Sequence, residues 1–248
     1  MKRREKKHKK KRISLLVKLI IIAAVGIGIY FFASSQLFDV TSFEVSGNAY
    51  YSEDEIMTMG NCKTGKNIFW GAGVGDIKKR LEKDPYMEKV KVKRILPDKI
   101  KIEITERKQI CAVAYGENYV VLDKDETVLR KTEVEPKLTI IKGLTISKIE
   151  VGLPIEVEET VKMRQIMDLI DSMDKNDMYF KTVETTETGV KAYVLDSLIC
   201  VGTSQNITKA MESGNLQKVI KGLFDINIER GTVKVSGDEY ISFSPAFD

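Results

Sequence analysis

ISLLVKLIIIAAVGIGIYFF, residues 13–32, carries a single charge, Lys18, in 20 residues. As a helix rising ~1.5 Å per residue it is ~30 Å long, one hydrocarbon core of a bilayer. It reads as a membrane span, and the rest of the chain divides around it. Before it stands MKRREKKHKKKR, with nine Lys or Arg against one Glu, and after it come 216 residues of mixed composition. The basic flank predicts an N-terminus in the cytoplasm and everything beyond Phe32 outside it. A cleaved signal peptide has a similar layout, and Ala33-Ser34-Ser35 offers small residues for a cut. The length of the basic tail and of the apolar run favours a retained span, with the Lys18 ammonium snorkelling back to the headgroups. A buried core helix would need a polar face, and this stretch is apolar all round.

The formal net charge of +4 belongs to the tail. Without residues 1–12 and Lys18, 30 basic residues face 35 acidic ones, about −5. A nucleic-acid partner for the exterior is therefore not expected, and the tail is expected to touch anionic lipid. Three cysteines, Cys62, Cys111 and Cys200, are too few and too scattered for a disulfide framework, so packing must hold the exterior together. The one histidine, His8, sits in the tail, and no Cys-x-x-Cys pair exists. Neither a transition-metal site nor a Ser-His-Asp triad is expected outside the membrane, and no cofactor is expected.

Beyond the span, Phe38 to Asn48 alternates as one strand, with Phe43 and Val45 on one side before a Gly-Asn turn signal. Ser52 to Glu55 spells a capping box, with Tyr51 and Ile56 placed as a hydrophobic staple, so a short helix runs to about Gly60. Asp76 is positioned to cap a second helix whose Ile77 and Leu81 share a face, and Asp84-Pro85 stops it. Glu88 to Arg94 alternates with Val90 and Val92 inward, Leu96-Pro97-Asp98 turns the chain, and Lys99 to Glu106 alternates with Ile100, Ile102 and Ile104 inward. Strand, helix, helix, strand, strand makes a small domain over 37–106, its sheet covered by the two helices.

From Arg107 the texture shifts to short strands at Ile110 to Tyr115, Tyr119 to Asp123, Thr127 to Arg130 and Leu138 to Ile141. Helical spacing joins Val161, Met163, Ile166, Met167, Ile170 and Met173, a core stripe rather than a cofactor surface. Strand patterns follow at Thr182 to Thr186, Val190 to Leu195 and Leu198 to Val201. A helix over about Ile207 to Lys221 is interrupted by Gly214. Two last strand candidates, Asp225 to Glu229 and Thr232 to Ser236, precede the apolar stub Tyr240 to Phe243. The expected fold is α+β: a transmembrane helix, the strand–helix module, then over 107–248 a mixed, mainly antiparallel β domain with two helices.

Chemistry-bearing strings are present and do not assemble. Gly60 to Asn67 nearly spells a P-loop, but Asn67 stands where Ser or Thr would hold magnesium, and the stretch follows a helix rather than a strand. Ser172-Met173-Asp174-Lys175, Ser213-Gly214-Asn215 and Lys63-Thr64-Gly65 echo penicillin-binding motifs in the wrong order. Glu156, Glu158 and Glu159 cluster at a helix start, where carboxylates meet the positive end of the dipole. No enzymatic activity is expected.

Phe38-Asp39-Val40 through Gly47-Asn48, Ser52 to Ile56, Gly65 to Phe69, Leu81 and Pro85, Val90 to Arg94, Leu96-Pro97 and Ile102 to Arg107 together resemble the bacterial cell-division family FtsQ, also called DivIB, in its POTRA domain. Tyr119 to Asp123, Gly152-Leu153-Pro154 and Val201-Gly202 resemble that family's β domain more loosely. Lys108 stands where proline commonly follows the Glu-Arg of the family, and Gly214 breaks a helix that is usually continuous. The resemblance implies a non-enzymatic division protein, enriched at the septum. Its implied partners outside the membrane are the small coiled-coil proteins FtsL and FtsB (DivIC), with a septal synthase as a further partner. Strand addition at a sheet edge is the expected mode, with a partner pairing to unused amides and carbonyls. By family position the edge falls in the last strands, which nominates Ile226, Ile228, Val233, Val235 and Tyr240; a proline at Lys234 is the corresponding test. The competing expectation is a POTRA-bearing component of envelope assembly or secretion that captures extended clients.

Overall fold

The structure is a computed structural model that describes residues 15–246. The basic tail at 1–12 and the first two residues of the expected span lie outside the described residues. Helix α1, Leu15–Ala33, buries none of its residues and is long and apolar enough to cross a membrane. Contacts divide the chain into two units: one contains residues up to Leu81 together with Val90–Ile104, and the other contains Glu82–Lys89 and the chain from Thr105 onward.

The first unit follows the expected order, with β1 (Ser42–Ser46), α2 (Glu53–Gly60), α3 (Val74–Leu81), β2 (Met87–Ile95) and β3 (Lys99–Glu106). The sheet order is β1-β3-β2, so the last strand lies in the middle, parallel to β1, with Val45 opposite Ile102. Ile100, Ile102 and Ile104 are buried, as are Ile56 on α2 and Ile77 and Leu81 on α3. Side chains this size stabilise by about 1.5–3 kcal/mol each when fully buried. The capping box forms: the Ser52 N–H donates to Glu55 Oε2 at 2.8 Å, and the Glu55 N–H donates to Ser52 Oγ at 3.3 Å. The Ser52 N–H, and after it the Ser52 hydroxyl donating to the same Oε2 at 2.7 Å, hold the Glu55 carboxyl below its ordinary range. Asp76 does not cap α3: the helix starts at Val74, after Gly73 at φ 56°, and Asp76 falls in its first turn.

The second unit is a nine-stranded sheet with three helices. Its strands are β4 (Cys111–Tyr115), β5 (Asn118–Leu122), β6 (Val128–Thr132), β7 (Thr139–Lys142), β10 (Thr182–Thr185), β11 (Val190–Tyr193), β12 (Leu198–Gly202), β13 (Gly231–Val235) and β14 (Ile241–Pro245). A separate two-stranded ribbon joins β8 (Ile146–Lys148) and β9 (Glu156–Val157). The large sheet runs β14-β13-β12-β11-β10-β7-β4-β5-β6. It is mixed and mainly antiparallel, with parallel pairs at β4–β7, β7–β10 and β12–β13. One register row crosses eight strands: Val120, Val113, Ile141, Val183, Ala192, Cys200, Val233 and Phe243 stand directly opposite one another in turn. All eight belong to the core, packed with the apolar stripe of α4 (Thr160–Lys175) and with α5 (Ser204–Glu212) and α6 (Asn215–Asp225).

Three sequence expectations change here. Val161 is exposed in the first turn of α4, and the stripe runs from Met163 to Met173 with Leu169 added. The helix interrupted at Gly214 is two helices, because Gly214 takes φ 73° and turns the chain between α5 and α6. Asp225 to Glu229 is not a strand: α6 continues to Asp225, and Asn227 at φ 55° turns the chain toward β13.

Arg107, the last residue of the POTRA-like run, has its own place in the second unit. Its guanidinium donates to Asp123 Oδ2 at 2.5 Å and to Asp125 Oδ2 at 3.3 Å. Asp123 is buried, and its other oxygen accepts from the backbone N–H of Asp125 and of Thr127. The β5–β6 turn is thus built around one carboxylate whose charge and lone pairs are both matched.

Candidate partner-binding edge

The residues nominated from the sequence do not share one surface. Val233 and Val235 are 0% and 1% exposed and point into the core. Their strand, β13, is internal, paired parallel to β12 on one side and antiparallel to β14 on the other. Ile226 is 64% exposed and lies just beyond α6, while Ile228 is half-buried against the core, both leading into β13. Tyr240, 76% exposed, follows the other end of β13 in the turn to β14. Lys234 stands opposite both Val201 and Ser242, so proline there would break a ladder inside the sheet rather than mask an edge.

The edge is β14. Its register against β13 pairs Val235 with Ile241, Val233 with Phe243 and Gly231 with Pro245. The Ser236 N–H donates to the Tyr240 C=O at 2.9 Å, which sets the phase of the antiparallel alternation. Ser242 and Ser244 therefore exchange bonds with Lys234 and Thr232, and the N–H and C=O groups of Ile241 and Phe243 face away from the sheet. Their side chains meanwhile pack half-buried against the core. Backbone outward and side chain inward is the arrangement an added strand needs. Pro245, which has no N–H, ends the strand, a residue confined in sheets largely to edges and strand ends.

The sheet face away from the helices is polar around β10 and β11, whereas at β4, β5 and β7 it buries Ala112, Val121 and Ile140. The Tyr193 hydroxyl donates to Glu184 at 2.8 Å, which pushes its pKa up, and Lys181 donates to Asp196 at 2.7 Å, which does the same for the ammonium. The chemistry-like strings are spent on structure. Ser172 is buried in α4 and accepts from Asn176 Nδ2 at 3.1 Å, while Lys175 donates to Asp171. Asn67, at the end of the P-loop-like string, accepts the Phe69 N–H at 3.0 Å. A groove of about 540 Å³ beside α4 sets Lys108, Lys124 and Lys137 against Asp168, Asp171 and Asp174, and no histidine, cysteine or serine lines it. Among the described residues, no group of three His, Cys, Asp or Glu side chains is placed to hold a metal ion.

Comparison with known proteins adds what geometry alone does not. The family described as POTRA domain, FtsQ-type, matches residues 38–107. A cell division protein DivIB of Clostridium botulinum (strain Hall) is 26% identical over 239 residues, which is 92% of this chain and 93% of the relative. The matched domain and these full-length relatives support the FtsQ/DivIB family for this chain. A DivIB of Clostridium acetobutylicum is 27% identical over 79% of this chain and 82% of its own, and that of Bacillus subtilis (strain 168) is 21% identical over 84% and 77%. Members of this family are cell-division proteins, and the likeness extends well past the POTRA segment into the second unit.

Proposed function

We propose that this chain is a non-enzymatic, bitopic division protein whose exterior captures FtsL- and FtsB (DivIC)-type coiled-coil partners by strand addition at β14. In this reading residues 1–12 are a cytoplasmic tail, 13–32 the span, 37–106 the POTRA domain and 107–248 the β domain. The assembled complex sits at the septum and helps to organise or regulate septal peptidoglycan synthesis, with a septal synthase as a further contact. The observation that supports it is the free outer row of β14, where the Ile241 and Phe243 backbones offer donors and acceptors to an incoming strand. Tyr240 flanks this row at its start, and Ile226 and Ile228 lie at the far end of β13.

The test compares two substitutions at one residue. Ile241→Pro removes an outward N–H and leaves the β13 ladder intact, whereas Ile241→Ala removes the side chain and keeps the N–H. Co-purification of crosslinked partners from dividing cells is expected to fail for the proline variant and survive for alanine, with both retaining cooperative thermal unfolding. Equal capture by both variants would reject strand addition at this edge. A fluorescent fusion spread evenly over the membrane, instead of enriched at midcell, would favour a general envelope-assembly role.

A further inference from the structure

The chain has one tryptophan, Trp70, and it is 63% exposed in the loop between α2 and α3. An exposed indole is usually explained by what lies beside it. Here the neighbour is the end of α1: the Trp70 and Tyr30 rings lie 6.0 Å apart, and Tyr30 is three residues before the helix ends at Ala33. Next to them Phe69 stacks on Phe38 at 5.3 Å, and Phe38 in turn on Phe32 at 5.3 Å.

This contact is built in rather than incidental. Asn67 Nδ2 donates to the Ala33 C=O at 2.8 Å, satisfying one of the carbonyls left open at the helix C-terminus. The other end of the same amide accepts the N–H groups of Phe69 and Trp70, at 3.0 and 3.4 Å. The backbone at 65–68 pairs with 38–40 through the Gly65, Val40 and Ile68 N–H groups, and Arg94 Nε donates to the Ile68 C=O at 2.6 Å. Ile68 is fully buried, so the loop that carries Phe69 and Trp70 is pinned on both sides.

A helix of 19 residues spans ~28 Å, about the hydrocarbon thickness, so its last turn lies where tail meets headgroup. Aromatic rings with a polar tip concentrate at that level. We propose that the Phe69–Trp70 loop is a second membrane contact: the Trp70 indole inserts into the outer headgroup–acyl boundary beside Tyr30 and holds the strand–helix module to the lipid surface. The inference rests on α1 being a span and is independent of partner capture at β14. A span alone leaves whatever follows it free to swivel. A second lipid contact 37 residues after Ala33 in sequence, tied back to it by Asn67, fixes the tilt of the module.

Because Trp70 is the sole tryptophan, its emission reports this site in the unmodified full chain. The chain is reconstituted in phosphatidylcholine–phosphatidylglycerol vesicles, and resistance to carbonate extraction is scored on the same vesicles. The expected result is a blue-shifted emission that loses more intensity to lipids brominated at shallow acyl positions than at deep ones. Iodide supplied on both faces should quench it only weakly. Carbonate-resistant vesicles whose emission is that of hydrated indole, with strong iodide quenching, would overturn the lipid contact while leaving the span standing. Stronger quenching by the deep bromines would overturn the interfacial depth, and release by carbonate would overturn the span and the inference together.

Discussion

Cys200 shows how one residue's surroundings set its chemistry. It stands in the middle of the eight-strand row, opposite Ala192 and Val233, and burial pushes its thiol up to about 12. Cys111 is also pushed up to about 12, by burial first and then by the charges of Asp123 and Glu126. Cys62, half-buried, is raised to about 11 by burial, against the pull of Arg80. All three are free thiols, held in the protonated and unreactive form at neutral pH. The sign of the linkage follows: an unfolded chain with ordinary thiols releases these protons at about pH 9, while the folded chain keeps them to about pH 12. The stabilisation is whole below pH 9 and drains away as pH rises through that window. The unfolding midpoint, followed by circular dichroism, is expected to fall across it, and to fall less steeply in a Cys111→Ala, Cys200→Ala chain. The same surroundings decide the nominated site. From the sequence, Val233 and Val235 are alternate apolar residues near an edge, and nothing local says which of a strand's two faces is buried. The row from Val120 to Phe243 makes that choice, and it depends on seven strand pairings that no window of sequence contains.

Among the elements, those that close locally were legible. The Ser52–Glu55 box, the alternation of Ile100, Ile102 and Ile104, and the α4 stripe each rest on residues within a few positions of one another. Asp225 to Glu229 was misread because Ile226 and Ile228 alternate with polar neighbours over only five residues, too few to outweigh the last turn of α6. The edge lies one strand further on than the sequence suggests, because the apolar stub after Tyr240 is itself a strand, β14, folded back onto β13 as a hairpin. The Val201-Gly202 pair in the family resemblance now has a physical basis. A Cβ added at Gly202 would sit 2.4 Å from the Val235 C=O, a backbone atom that can yield only by moving β13. Gly202→Ala is expected to cost about 1–3 kcal/mol and, because β14 hangs on β13, to weaken partner capture as well. Gly222 in α6 has nothing within 4 Å of its missing Cβ, so Gly222→Ala is expected to stabilise by about 0.5–1 kcal/mol. Chemical unfolding of the pair, read side by side, checks both signs.

For the molecule as a whole, α1 buries no residue, so the core beyond it is built without that helix. The order of strands in the first sheet adds a consequence for how the chain is made. β1 leaves the ribosome first, yet its partner is β3, whose residues begin at Lys99, and among the described residues β2 pairs with that same strand alone. Until Lys99 to Glu106 emerge, both earlier strands wait without a ladder, so the sheet closes in one step near the end of its own synthesis. Chains stalled with Asp98 as the last emerged residue are expected to be cut by protease throughout 37–98, and chains stalled well past Glu106 to resist it. Early resistance would mean that the order of synthesis leaves no mark on folding.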